Sequence, residues 1–113
     1  MGIVTTPEPP YTAVIFTSVR ADAESDDGYA EMAERMEALV VDQPGYLGLE
    51  SAREEVGITV SYWRTAADAR SWKEVADHLA AQRLGRSRWY RDYRVRIATV
   101  QHDYGHPEAV MPR

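Results

Sequence analysis

Residues Ser61–Tyr93 read SYWRTAADARSWKEVADHLAAQRLGRSRWYRDY, and they hold all three tryptophans, Trp63, Trp72 and Trp89, with Tyr62, Tyr90 and Tyr93 beside them. Ser61-Tyr62-Trp63 closes a run of β-branched and aromatic residues, as a strand does. Thr65 then offers a hydroxyl to cap a helix, and Asp68 lies three residues on, placed to reach back as in a capping box. Trp72, Val75, Ala76 and Leu79 recur at helical spacing and make one apolar stripe. Gly85 is a place for that helix to end or bend. From Arg91 to Val100 the period changes to two, with Tyr93, Val95 and Ile97 alternating with Arg94 and Arg96. Strand, helix and strand thus follow one another in a single stretch. A pocket for a flat organic molecule is expected to be lined from it.

The upstream half supplies the matching elements. Residues 1–10, MGIVTTPEPP, carry three prolines, which leave little backbone to donate to a ladder, so a flexible lead-in is expected. Tyr11–Arg20 reads as the first strand, with Ala13, Ile15 and Val19 on one face and Val14 and Phe16 on the other. Both faces are partly apolar, the pattern of a strand covered on both sides. Ser25-Asp26-Asp27 offers a cap and first-turn carboxylates for a helix running to about Val41. Along it Tyr29, Met32, Met36, Leu39 and Val40 recur at helical spacing, with Glu31 and Arg35 on the wet side. Gln43-Pro44-Gly45 stops it. Tyr46–Glu54 and Val56–Trp63 form a hairpin that turns near Glu55 and Gly57. The order β-α-β-β-α-β predicts an α+β domain over residues 11–104, a ferredoxin-like plait with two helices on one face of an antiparallel sheet. Residues 105–113 have no periodicity and read as a flexible tail. The bare sheet face needs cover, and the apolar residues on both faces of the first strand predict a homodimer with two-fold symmetry.

Composition narrows the function. At 113 residues the chain is one domain with a single core. It has no cysteine, which removes disulfides, thiolate metal sites and cysteine nucleophiles together and leaves a reducing cytoplasm as the expected compartment. No run is long enough to cross a bilayer, so no membrane partner is expected. The net charge of −5 argues against nucleic acid. The charge is nonetheless divided: residues 1–55 hold twelve acids and three arginines, residues 56–113 six acids and ten basic groups. Such halves can steer an anionic ligand, or complement each other across a dimer. His102 and His106 have H-x3-H spacing, but Gly105 and Pro107 oppose a helix presenting both, and no metal site is expected.

Two motifs carry a family resemblance. Gln43-Pro44-Gly45-Tyr46-Leu47-Gly48 resembles the PG(F/Y)LG signature of antibiotic-biosynthesis-monooxygenase (ABM) domains. Tyr62-Trp63, Trp72, His78-Leu79-Ala80-Ala81-Gln82, Gly85, Trp89-Tyr90 and Tyr93-Arg94-Val95-Arg96 are similar to one small bacterial branch of that superfamily. The resemblance covers about Tyr11 to Tyr104 and implies a dimeric α/β barrel. It also implies a choice of activities: cofactor-independent oxygenation of aromatic compounds, haem degradation, or no catalysis. The haem-degrading members resemble one another in an Asn on the first strand, a Trp early in the second helix and a His ten residues later. The Trp falls on Trp72, the His position on Gln82, and the Asn region holds Thr17 and Ser18. Two of the three haem-site residues are therefore absent.

The chemistry expected is that of a small monooxygenase without metal or other cofactor, in which the anion of a phenol or hydroquinone reduces dioxygen directly. It requires an apolar pocket and one base. Trp63, Trp72 and Trp89 are the expected substrate-binding walls, and Tyr93, with Tyr62 and Tyr90, is placed to donate a hydrogen bond to a bound quinone or phenol, although each also reads as an ordinary core or sheet aromatic. His78, with Glu74 one turn before it, is the expected base, and the same pair also reads as a solvated helix face. Arg83 is the expected anion holder. The alternatives are a non-catalytic dimer that binds a small aromatic molecule and, behind it, a haem-degrading enzyme.

Overall fold

The computed structural model describes residues 2–21, 28–82 and 89–106. Six elements follow in the expected order: β1 Tyr11–Arg20, α1 Tyr29–Val40, β2 Tyr46–Arg53, β3 Gly57–Trp63, α2 Ala66–Gln82 and β4 Tyr90–Val100. The four strands form one sheet in the order β2-β3-β1-β4, every neighbouring pair antiparallel. This is the α+β ferredoxin-like plait. The hairpin turns through residues 54–56, so β3 starts one residue later than the periodicity places it.

Local chemistry accounts for the boundaries. Thr65 caps α2, its Oγ1 accepting the Asp68 N–H at 3.0 Å. Gly45 turns the chain from α1 into β2 at φ +80°, and a Cβ there would overlap the Asp68 carboxylate. That turn therefore needs glycine twice over, for its backbone and for its space. Ser25-Asp26-Asp27, read as the cap of α1, lie outside the described residues, as does Gly85. The helix begins after Gly28, at φ +83° and without a side-chain cap bond.

Two register shifts set which side chains meet. β2 has Tyr46 opposite Trp63 but Gly48 opposite Tyr62, and β4 has Asp92 opposite Val19 but Tyr90 opposite Arg20. In each case one extra residue, Leu47 or Arg91, changes the side on which its neighbours project. Tyr46 thereby reaches Trp63, and Tyr90 comes to the same side as Val95.

The helices cover the face that carries Val14, Phe16, Ser61 and Trp63, and two apolar clusters form there. Val40, Trp63 and Ala69 make one, with Val14, Tyr46 and Trp72 against it. Met32, Leu79 and Trp89 make the other, with Tyr29, Met36 and Tyr90. On the opposite face the chain's own N-terminal segment makes contacts. The Val4 N–H donates to Glu50 Oε2 at 2.9 Å, and Thr6 Oγ1 lies 3.1 Å from the Tyr11 hydroxyl, which donates to Asp103. Arg94 and Arg96 are exposed. No described helix is long and apolar enough to cross a membrane.

Candidate functional site

Between the helices and the sheet lies a cavity of about 510 Å³. Both clusters contribute to its wall, Val40, Ala69 and Trp72 from one and Met32, Trp89 and Tyr90 from the other. Most of its wall is apolar, with a few placed polar groups, the usual composition of a small-molecule site.

One end is closed by tryptophan. Trp63 is 0% exposed, stacks on Trp72 at 6.2 Å and 23°, and meets the edge of Tyr46 at 5.5 Å. Its indole N–H donates to Ser61 Oγ at 2.9 Å, so the ring is buried with its polar atom satisfied. Trp72 and Ser61 face the cavity, and Glu37 and Lys73 stand at its rim. Burial, and then the charge of Glu37, push the Tyr46 phenol above its ordinary value. Lys73 Nζ also pairs with Asp77 at 3.1 Å.

The other end is built of phenols and one guanidinium group. Tyr29, Tyr90, Trp89, Phe16 and Arg53 line it. Tyr90 meets Phe16 at 5.2 Å and Tyr29 at 5.7 Å, both edge to face. Burial first, then a hydrogen bond with Tyr29, push the Tyr90 phenol well above its usual value, against the opposing charges of Arg53 and Arg20. Tyr90 is therefore a neutral hydrogen-bonding group and never a base at ordinary pH.

The residues singled out from sequence separate. Trp72 and Trp89 line the cavity at opposite ends. Trp63 does not; it backs Trp72 from a second layer. Tyr93 is 42% exposed, packs against Phe16 and Tyr90, and does not line the cavity. His78 and Glu74 are exposed and line no part of the cavity. The reason is angular: Ala69, Trp72 and Ala76 of α2 point at the sheet, and a residue two further along either way is turned about 200° from that direction. Arg83 and the Gln82 side chain lie outside the described residues. No described histidine lines the cavity and no described group of His, Cys, Asp or Glu is placed to hold a metal. The described lining thus offers haem iron no imidazole.

Sequence reasoning missed Glu37, Lys73 and Arg53, and weighed Tyr90 only as one of three tyrosines. The side on which Arg53 projects was legible, since it alternates with Leu49 and Ser51 onto the helix side of β2. That of Tyr90 was not. Counting back from Tyr93 by strict alternation puts it on the wrong face, and only the bulge at Arg91 corrects this.

Comparison with known proteins agrees with this architecture. The family model "Antibiotic biosynthesis monooxygenase" matches residues 10–84. An uncharacterised Bacillus subtilis (strain 168) protein, YqjZ, is 55% identical over 97 residues, 84% of this chain and 83% of that one. A candidate antibiotic biosynthesis monooxygenase from Nitrosomonas europaea superposes with a TM-score of 0.61 at 16% identity, covering 89% of this chain and 97% of that one. SnoaB, a cofactor-independent oxygenase from Streptomyces nogalater, gives 0.61 at 13% identity, covering 88% and 100%. At these identities the two structures speak for the fold.

Proposed function

As the chain belongs to the antibiotic biosynthesis monooxygenase family, we propose that its cavity binds a flat aromatic phenol, hydroquinone or anthrone and oxidises it with dioxygen, without a resident cofactor. The observation that carries this reading is the cavity itself: open to solvent on one side, walled by tryptophan and tyrosine, large enough for a fused-ring system, and provided among the described residues with one lining carboxylate, Glu37. The description of SnoaB as a cofactor-independent oxygenase supports the choice of reaction.

In this mechanism the acidic C–H or O–H of the substrate lies towards Glu37, which takes the proton. Lys73 stabilises the carbanion or phenolate that results. That anion passes electrons to dioxygen, and a C–O bond forms to give a hydroperoxide. For an anthrone CH2, loss of water from the hydroperoxide leaves a carbonyl. One oxygen atom enters the product, the other leaves as water, and the substrate supplies all four electrons. Trp72 and Trp89 exclude water and hold the ring plane. A homodimer, formed over the face that carries Arg94 and Arg96, is part of the proposal.

Oxygen uptake with dithranol tests it. Uptake above the spontaneous rate, reduced about 100-fold or more in Glu37→Gln and unchanged in His78→Ala, is the expected result. Loss of uptake in His78→Ala alone would return the base to His78. Binding of the aromatic without uptake would instead identify a small-ligand-binding module.

A further inference from the structure

The Arg53 end of the cavity has no part in the proton transfer above, yet it is assembled around a guanidinium. Arg53 closes β2 and donates from Nη1 to the Ser18 carbonyl at 3.5 Å and from Nη2 to Ser18 Oγ. Ser18 is 2% exposed, so a buried anchor holds the group in place. Gly57 stands opposite Arg53 in register, and a Cβ there would overlap the guanidinium carbon and nitrogens. The absent side chain is the seat of the guanidinium. A second guanidinium, Arg20, lies 3.6 Å over the Tyr29 ring, and its Nε donates to the Trp89 carbonyl at 3.1 Å. Both charges act on the Tyr90 hydroxyl. Among the described residues no carboxylate pairs with Arg53.

A neutral ring entering here would strip water from a seated cation and return nothing to it. A carboxylate would meet a planar fork of donors, the geometry in which arginine binds carboxylates best. Tyr29 and Glu37 are eight residues apart on α1, about 12 Å along the axis. The two ends are therefore separated by roughly the length of a fused-ring system with one substituent. We infer that the cavity takes a fused-ring aromatic carboxylate, its carboxylate held by Arg53 and its rings lying towards Trp72. This rests on the reading that the cavity is the substrate site.

The test is a binding measurement that needs no turnover. Anthracenecarboxylate and its neutral carboxamide are titrated against the full chain by quenching of tryptophan fluorescence. The carboxylate is expected to bind about tenfold or more tightly than the carboxamide. Arg53→Leu is expected to remove that preference and leave carboxamide affinity within about twofold. Gly57→Ala, which keeps the charge but fills its seat, is expected to weaken the preference as well, separating a placed guanidinium from a generally positive surface. Equal affinity for the two ligands in the wild type, failure of both to bind, or a preference that survives both substitutions would overturn the inference. A chain that shows the preference but consumes no oxygen with dithranol loses the oxygenase reading and keeps the carboxylate site.

Discussion

The two ends of the cavity are built from similar aromatic residues and do different work. At the Trp63 end the indole N–H is satisfied on Ser61 and the helix start on Thr65. At the Tyr90 end two phenols and the Arg53 guanidinium face space that the protein does not fill. The first end holds the fold and, among the described residues, offers only Glu37 and Lys73 at its rim, whereas the second leaves its polar groups turned to the cavity. Stability and ligand effects are therefore expected to separate along the cavity.

The largest expected effect is at the closed end. Trp63→Ala removes a fully buried ring together with its contacts to Tyr46 and Trp72, and is expected to cost about 3–5 kcal/mol in a urea melt. A smaller loss would mean that this end can collapse around the hole. Arg53→Leu is expected to cost less, about 1–3 kcal/mol, through the buried Ser18 hydroxyl it leaves without a partner. Adding Ser18→Ala to it is then expected to recover part of the loss, because both polar partners have gone. Thr65→Ala follows at about 1 kcal/mol, the usual worth of a helix N-cap. Asp77→Asn, which breaks the solvated pair with Lys73, is expected to change stability by less than about 1 kcal/mol.

Alkaline pH extends the comparison to the opposite face. The Tyr62 phenol donates to Glu50 Oε1 at 2.8 Å, and burial followed by that bond pushes its pKa from 10.0 up to about 12. The folded chain keeps a proton that the unfolded chain releases between those values. The contribution is thus complete below pH 10 and is lost as pH rises towards about 12. Tyr62→Phe is expected to flatten that decline. Tyr90, raised by burial at the polar end, acts with the same sign.

Much of the fold was legible in Ser61–Tyr93, because capping and periodicity are local. Thr65 and the stripe from Trp72 to Leu79 place α2, and the alternation after Arg91 places β4. The site was less legible, for geometric reasons. A helical wheel puts His78 near the edge of a stripe but cannot say how wide a sector the sheet covers, and here the covered sector excludes it. Trp63 and Trp72 look equivalent in sequence, yet a 6.2 Å stack puts one behind the other. Tyr90 depends on a one-residue bulge that no periodicity announces. Arg53 depends on Gly57, a contact across a hairpin that becomes visible only when the register is known.

The central claim is that an aromatic substrate is oxidised inside this cavity. Its most direct test is oxygen uptake by the purified chain, with chelator and dithranol present, in the wild type and in Ala33→Trp, which fills the cavity from α1. The account predicts uptake of one dioxygen per substrate consumed, above the spontaneous rate, and its loss in a variant that still folds. Uptake that persists with the cavity filled would contradict it, as would no uptake by the wild type.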